Sequence, residues 1–175
     1  MSTSLVSSGN SLTGFLAYAH AMECEMEEDL RDLAAGLKAH NNRQAAATLN
    51  QFVEWCGKQV KAIEDKSSGL DLPPVPPWDI PGHAEVNLHT LRMEKAHYLM
   101  KHREVLELVL PYWQDAYQYY IQVAQLKRVP EIQSLARRFA QTKADEIQQL
   151  ETWLTEAREI HETVPEDLDP PHMPE

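Results

Sequence analysis

Cysteine is scarce in this chain: two among 175 residues, Cys24 and Cys56, both inside helical patterns. A disulfide-stapled scaffold is thereby excluded, and reduced buried thiols are expected for both. No run of about 20 apolar residues occurs, so no membrane-spanning helix is expected. The opening stretch from Met1 to Asn10 lacks the basic and apolar regions of a secretory signal, and the expected compartment is the cytoplasm. Basic residues are outnumbered, 16 against 27 acidic, for a net charge of −11. A surface of that sign repels phosphate backbones and anionic lipid, so neither nucleic-acid nor membrane binding is expected. There is no Gly-rich phosphate loop and no serine-nucleophile motif. The eight histidines are scattered, without the Cys-His spacing of a zinc finger.

What is present is helical periodicity. Hydrophobic residues make up 43% and charged residues 25%, the balance of one globular domain with a sizeable core. From Leu12 to about Ala39, apolar residues recur at Leu12, Phe15, Leu16, Ala19, Met22, Met26, Leu30, Leu33 and Leu37, the spacing of one helical face. Asn41 and Asn42 supply a turn and an N-cap for a second helix, about Arg43 to Lys66. Its inward residues are Ala46, Leu49, Phe52, Val53, Cys56, Val60 and Ile63. Prolines at 73, 74, 76, 77 and 81 then break the pattern. The crossover, residues 67–101, is long enough to run the length of a bundle, with a short helix plus a loop open over His83 to Lys101. A third helix spans about His102 to Leu126, with Pro111 predicted to kink it or loosen a turn. A fourth spans about Pro130 to Glu159, with Pro130 suited to a first turn. The tail, 160–175, is rich in proline and acid, and its last stretch is expected along the surface or disordered.

The two hairpins repeat one another. Asp32-Leu33-Ala34 aligns with Gln122-Val123-Ala124, and Phe52-Val53 with Phe139-Ala140. Two similar hairpins joined by a long crossover make an all-α, antiparallel four-helix bundle of the ferritin-like plan.

Specific runs carry a resemblance. His97-Tyr98-Leu99-Met100 with Val105-Leu106-Glu107-Leu108 resembles the start of the third helix in the rubrerythrin-like, ferritin-like di-iron carboxylate family. Ser134-Leu135-Ala136-Arg137-Arg138-Phe139-Ala140 and Leu150-Glu151-Thr152-Trp153-Leu154 resemble its fourth helix. Trp78 and the ending Asp169 to Glu175 also resemble it, so the similarity spans nearly the whole chain. The resemblance implies a single bundle around six ligands: one Glu each from helices one and three, and Glu-x-x-His from helices two and four. Two iron ions held there would reduce peroxide or oxygen, or oxidise ferrous iron.

Carried over position by position, most of that ligand set is replaced. Glu23 keeps the first carboxylate. Cys56 and Gln59 stand where the second helix should offer Glu and His, Trp113 where the third should offer Glu, and Lys143 and Glu146 where the fourth should offer Glu and His. Trp113 would fill volume that metal and water occupy in the family. Lys143 would place a cation between Glu23 and Glu146, replacing the metal electrostatically. The chain also lacks the two Cys-x-x-Cys pairs of a rubredoxin domain, which leaves full rubrerythrin electron transfer without support.

Other constellations stay open. His20, Glu23, Glu27 and Glu146 could build one non-standard site for zinc or iron, or His20 could be a rim histidine and Glu27 a solvated acid. Cys56, next but one to Lys58, could be a reactive thiol if Lys143 is close, or a small buried hydrophobe. A Cys24–Cys56 disulfide is conceivable between adjacent helices, against the expected reducing compartment. Tyr112, Tyr117, Tyr119 and Tyr120 could carry radicals in a metal enzyme, or pack the core. Trp55, Trp153 and tyrosines on exposed faces would favour a homodimer.

The expectation is a rubrerythrin-like bundle with a degenerate di-iron site, no cofactor, and a non-catalytic binding or structural role toward a protein partner that the sequence does not name. The alternative is a ferritin-like oxidoreductase, of the rubrerythrin peroxidase kind, or a metal-binding protein with iron or another first-row divalent ion in a non-standard centre.

Overall fold

Ser11 starts the first helix by accepting a hydrogen bond on its hydroxyl from the Gly14 amide at 3.0 Å, which satisfies one of the free donors of a helix N-terminus. In this computed structural model, which describes residues 11–76, 99–126 and 129–163, four helices follow in order. They are α1 Leu12–Ala39, α2 Arg43–Ser67, α3 His102–Leu126 and α4 Pro130–Thr163. The ends agree with the periodicity to within a residue, except that α4 continues past Glu159 to Thr163.

The α1–α2 turn shows why the chain reverses there. Asn41 adopts a left-handed φ of 63°. The Asn42 amide then reaches back to the Leu37 carbonyl at 2.9 Å, and the Asn41 amide to that of Lys38 at 3.1 Å. Asn42 immediately becomes the cap of α2, its side chain accepting from the Ala45 amide at 3.2 Å. At the head of α3, Glu104 accepts from the Lys101 amide at 2.7 Å, the reciprocal half of a capping box. Pro130 opens α4 as expected. Pro111 lies inside α3, which is helical on both sides of it.

The helices pair as two antiparallel hairpins, α1 with α2 and α3 with α4. The core divides into two apolar ends. One gathers the first half of α1, the end of α2, the second half of α3 and the start of α4: Phe15, Tyr18, Ile63, Tyr120, Ile132 and Phe139 are among its members. The other gathers Leu30, Leu37, Leu49, Phe52, Leu106, Trp113 and Leu150. Ser67 ends α2 at the first of these, where Leu72 and Val75 also pack. Met100 begins the approach to α3 at the other end, its carbonyl accepting from Asn42 Nδ2 at 2.7 Å. The chain therefore leaves α2 at one end of the bundle and enters α3 at the other, with α1 parallel to α4 and α2 parallel to α3. The short helix or loop considered for His83 to Lys101 lies, up to residue 98, outside the described residues, as do Trp78 and the 164–175 tail.

The repeat read from the sequence is visible in burial. Glu23 and Trp113, Cys56 and Lys143, and Leu30 and Tyr120 are related pairs, and every member is buried. One expectation needs correcting. Trp55 and Trp153 do not lie on open faces: they stack on one another with ring centroids 5.5 Å apart and are partly buried against the Phe52–Trp113 end of the core.

Candidate site at the centre of the bundle

Between the two apolar ends lies a polar layer. Each helix contributes: Glu23 from α1, Gln59 from α2, Trp113 and Tyr120 from α3, Lys143 and Glu146 from α4. Their spacing follows the helical repeat. Cys56 and Gln59, like Lys143 and Glu146, are three residues apart and so lie on one face. Trp113 and Tyr120 are two turns apart on the inner face of α3.

Glu23 and Lys143 have no solvent exposure at all, and no other charged side chain among the described residues is buried to that degree. Lys143 Nζ donates to Glu23 Oε2 at 2.9 Å and lies 3.5 Å from Glu146 Oε2. The second Glu23 oxygen, Oε1, accepts from the Tyr120 hydroxyl at 2.8 Å. Trp113 serves twice. Its indole Nε1 donates to Glu146 Oε2 at 2.7 Å, and its ring lies 4.9 Å from the Lys143 ammonium. Gln59 is buried beside them, its Nε2 making no hydrogen bond.

Burial would push the Lys143 amine toward its neutral form. The adjoining Glu23, then Cys56 and Glu146, outweigh that effect, and its pKa is raised. Tyr120 is held neutral by burial and by the Glu23 charge that its hydroxyl serves. Glu146 is raised above the ordinary carboxylate value because burial outweighs the help of Lys143 and Trp113. The Cys56 thiol is pushed well up by burial, against the opposing pull of Lys143. The possibility that a nearby lysine activates Cys56 is therefore corrected: Lys143 is close, but desolvation dominates. Both cysteines are free thiols.

Of the residues grouped in the sequence as an alternative metal site, Glu23 and Glu146 meet at Lys143, whereas His20 and Glu27 are turned to other partners. His20 turns to the α1–α2 edge, with Nε2 3.4 Å from Glu64 Oε1 and its ring 3.7 Å from Cys24 Sγ. Glu27 is half-buried and pairs with Arg31. It rests against α2 at Gly57, where an added Cβ would come within 3.5 Å of Glu27 Oε1. Glu54 is exposed, whereas Cys56 and Gln59 are buried, which fixes the register of α2. Among the described residues no three His, Cys, Asp or Glu side chains are placed to hold a metal ion.

The central donor set does not fit a pair of iron ions. Glu23 and Glu146 are carboxylates and Cys56 could offer a thiolate, but Gln59 is a neutral amide and Trp113 offers no lone pair. No imidazole joins them among the described residues, so the four carboxylates and two histidines of the family's pattern are not supplied. A protonated lysine bonded to Glu23 holds the space between them.

Sequence reasoning leaves Tyr120 as a radical carrier or a packing residue and misses its role as a hydrogen-bond donor to Glu23. The repeat aligns it with Leu30, an inward position, and a hydroxyl-bearing side chain there must find a partner.

No protein-family model matches the chain, and no curated protein matches it in sequence. Among solved structures, the crystal structure of an uncharacterized conserved protein from Magnetospirillum magnetotacticum MS-1 is similar. The two are 26% identical, the match covers 83% of this chain and 95% of that one, and the TM-score is 0.65. The chain is an all-α four-helix bundle of two hairpins, sharing its arrangement with that bacterial protein.

Proposed function

We propose that this chain is a rubrerythrin-like, ferritin-like bundle whose di-iron centre has been replaced by packing and an ion-pair network, with a non-catalytic binding or structural role. The observation that carries this reading is the fully buried Lys143 ammonium, hydrogen-bonded to Glu23 at 2.9 Å where the resemblance puts a metal ligand. A cation between carboxylates neutralises them as a metal would, without open coordination positions for oxygen or peroxide. Trp113 fills the remaining volume and closes the network through Glu146. In this reading the protein is not an enzyme. It needs no cofactor, works in the cytoplasm, and acts as a homodimer toward a protein partner.

Ferrous iron, manganese and zinc titrated into the purified protein in a calorimeter test the site. The reading expects no binding with one or two ions per chain. Tight binding that disappears in E23A would favour the other reading, a ferritin-like oxidoreductase or metal-binding protein with an altered centre. Light scattering on a size-exclusion column tests the dimer: a strict monomer at high concentration would contradict it.

A further inference from the structure

We propose that Glu23 and Lys143 are joined in the mature protein by an isopeptide bond that the folded chain forms by itself. The arrangement holds the parts such a condensation requires. The amine and the carboxyl group are in contact at 2.9 Å, and both are wholly excluded from solvent. A second carboxylate, Glu146, stands 3.5 Å from the same nitrogen, fixed in orientation by the Trp113 indole. The Tyr120 hydroxyl donates to the oxygen of Glu23 that does not touch lysine. Phe52 edges against Trp113, and Phe139 against Tyr120, so the surroundings are apolar.

The steps balance without any co-reactant. One ammonium proton passes to Glu23 Oε2 along the existing hydrogen bond, giving a neutral amine and a neutral acid as a minor form beside the favoured ion pair, and reaction proceeds from that minor form. Nζ then attacks the Glu23 carboxyl carbon, forming the C–N bond, while the Tyr120 hydroxyl supports charge developing on Oε1. Glu146 takes the second Nζ proton and returns it to the Oε2 hydroxyl. The C–Oε2 bond breaks and one water molecule leaves. The third proton stays on the amide nitrogen, Oε1 remains as the amide carbonyl still accepting from Tyr120, and Glu146 ends as it began. Two buried charges are removed, and holding the partners in contact supplies the effective concentration that the reaction lacks in water. The bond would tie residues 120 apart in sequence and join the two hairpins covalently.

The test is the intact mass of the full chain under denaturing conditions, followed by a tryptic digest. The expected result is a mass lower than that of the sequence by one water molecule. The digest should contain a branched peptide joining the segment that ends at Arg31 to the segment from Phe139 to Arg158, uncut at Lys143. K143M and E146Q should both return to the full mass of their sequences. A wild-type chain at full mass, or a deficit that persists in K143M, would overturn the proposal. The bond rests on the metal-free reading, whose Glu23–Lys143 ion pair is its precursor and is replaced by the amide: a full-mass chain leaves the ion-paired form of that reading standing, whereas stoichiometric metal binding would end both.

Discussion

Lys143 and Glu23 meet at 2.9 Å in the middle of the bundle, on α4 and α1, with neither side chain exposed to solvent. A buried pair of this kind contributes little beyond what apolar residues would, but each member depends on the other. Relative to the ion-paired chain, K143A strands the Glu23 charge in the core with Tyr120 alone to serve it. The expected cost is about 3–5 kcal/mol in urea unfolding. Removing both charges together, in E23L/K143M, should cost less than either single change. A K143A protein within about 1 kcal/mol of wild type would contradict this dependence.

Tyr120 is the second support of the same carboxylate. Y120F keeps the ring contacts with Phe15 and Phe139 and removes the hydroxyl that donates to Glu23 Oε1. Stability should fall by about 1.5–3 kcal/mol, the range for a hydrogen bond to a charged group. An unchanged denaturation midpoint would contradict the Tyr120–Glu23 bond as a support of the fold.

Alkaline pH tests the charge states. Burial depresses the Lys143 amine, but Glu23 outweighs it, so the proton is held beyond the ordinary lysine value of 10.5. Burial and Glu23 hold the Tyr120 proton beyond 10.0. The unfolded chain gives both up near those ordinary values. Above about pH 10 it therefore binds fewer protons than the folded chain, and stability falls as pH rises. Below that range both contributions are fully present. Urea unfolding from about pH 8 to about pH 11 should show this loss, smaller in K143M and in Y120F. A chain carrying the Glu23–Lys143 amide has no Lys143 proton to lose, and its alkaline loss is smaller by that part, with Tyr120, Tyr119 and the two thiols still contributing. A pH-independent midpoint across the range would contradict both charge assignments.

The two thiols should separate cleanly. Cys24 is partly exposed, with its pKa pushed up to about 11 by burial, then by Glu27, Glu28 and Glu64. Cys56 is wholly buried. Iodoacetamide should label one thiol per native chain, slowly at neutral pH and faster as pH rises toward about 11. The second should react only on unfolding. Rapid labelling of Cys56 in the native protein would restore the thiol-based redox possibility.

The architecture was legible because its signals are local. The apolar spacing from Leu12 to Leu37, the Asn41-Asn42 turn and Pro130 each act within one turn of helix, and the structure places helix ends at those residues. The layer of Glu23, Lys143 and Trp113 was legible only through the resemblance to the rubrerythrin-like family, whose ligand positions fall on those residues. Two contacts were not. His20 lies three residues before Glu23, about 60° around the helix, and periodicity does not say that this rotation carries it out to Glu64. The Tyr120–Glu23 bond joins residues 97 apart, and it depends on how the hairpins seat against one another.

The central claim is that Lys143 occupies the place of a metal. Metal analysis of protein purified from cells grown with added iron, counting iron, manganese and zinc together, tests it most directly. The account predicts no stoichiometric metal in a folded, heat-stable protein. Two first-row ions per chain would contradict it and return the bundle to the di-iron oxidoreductases.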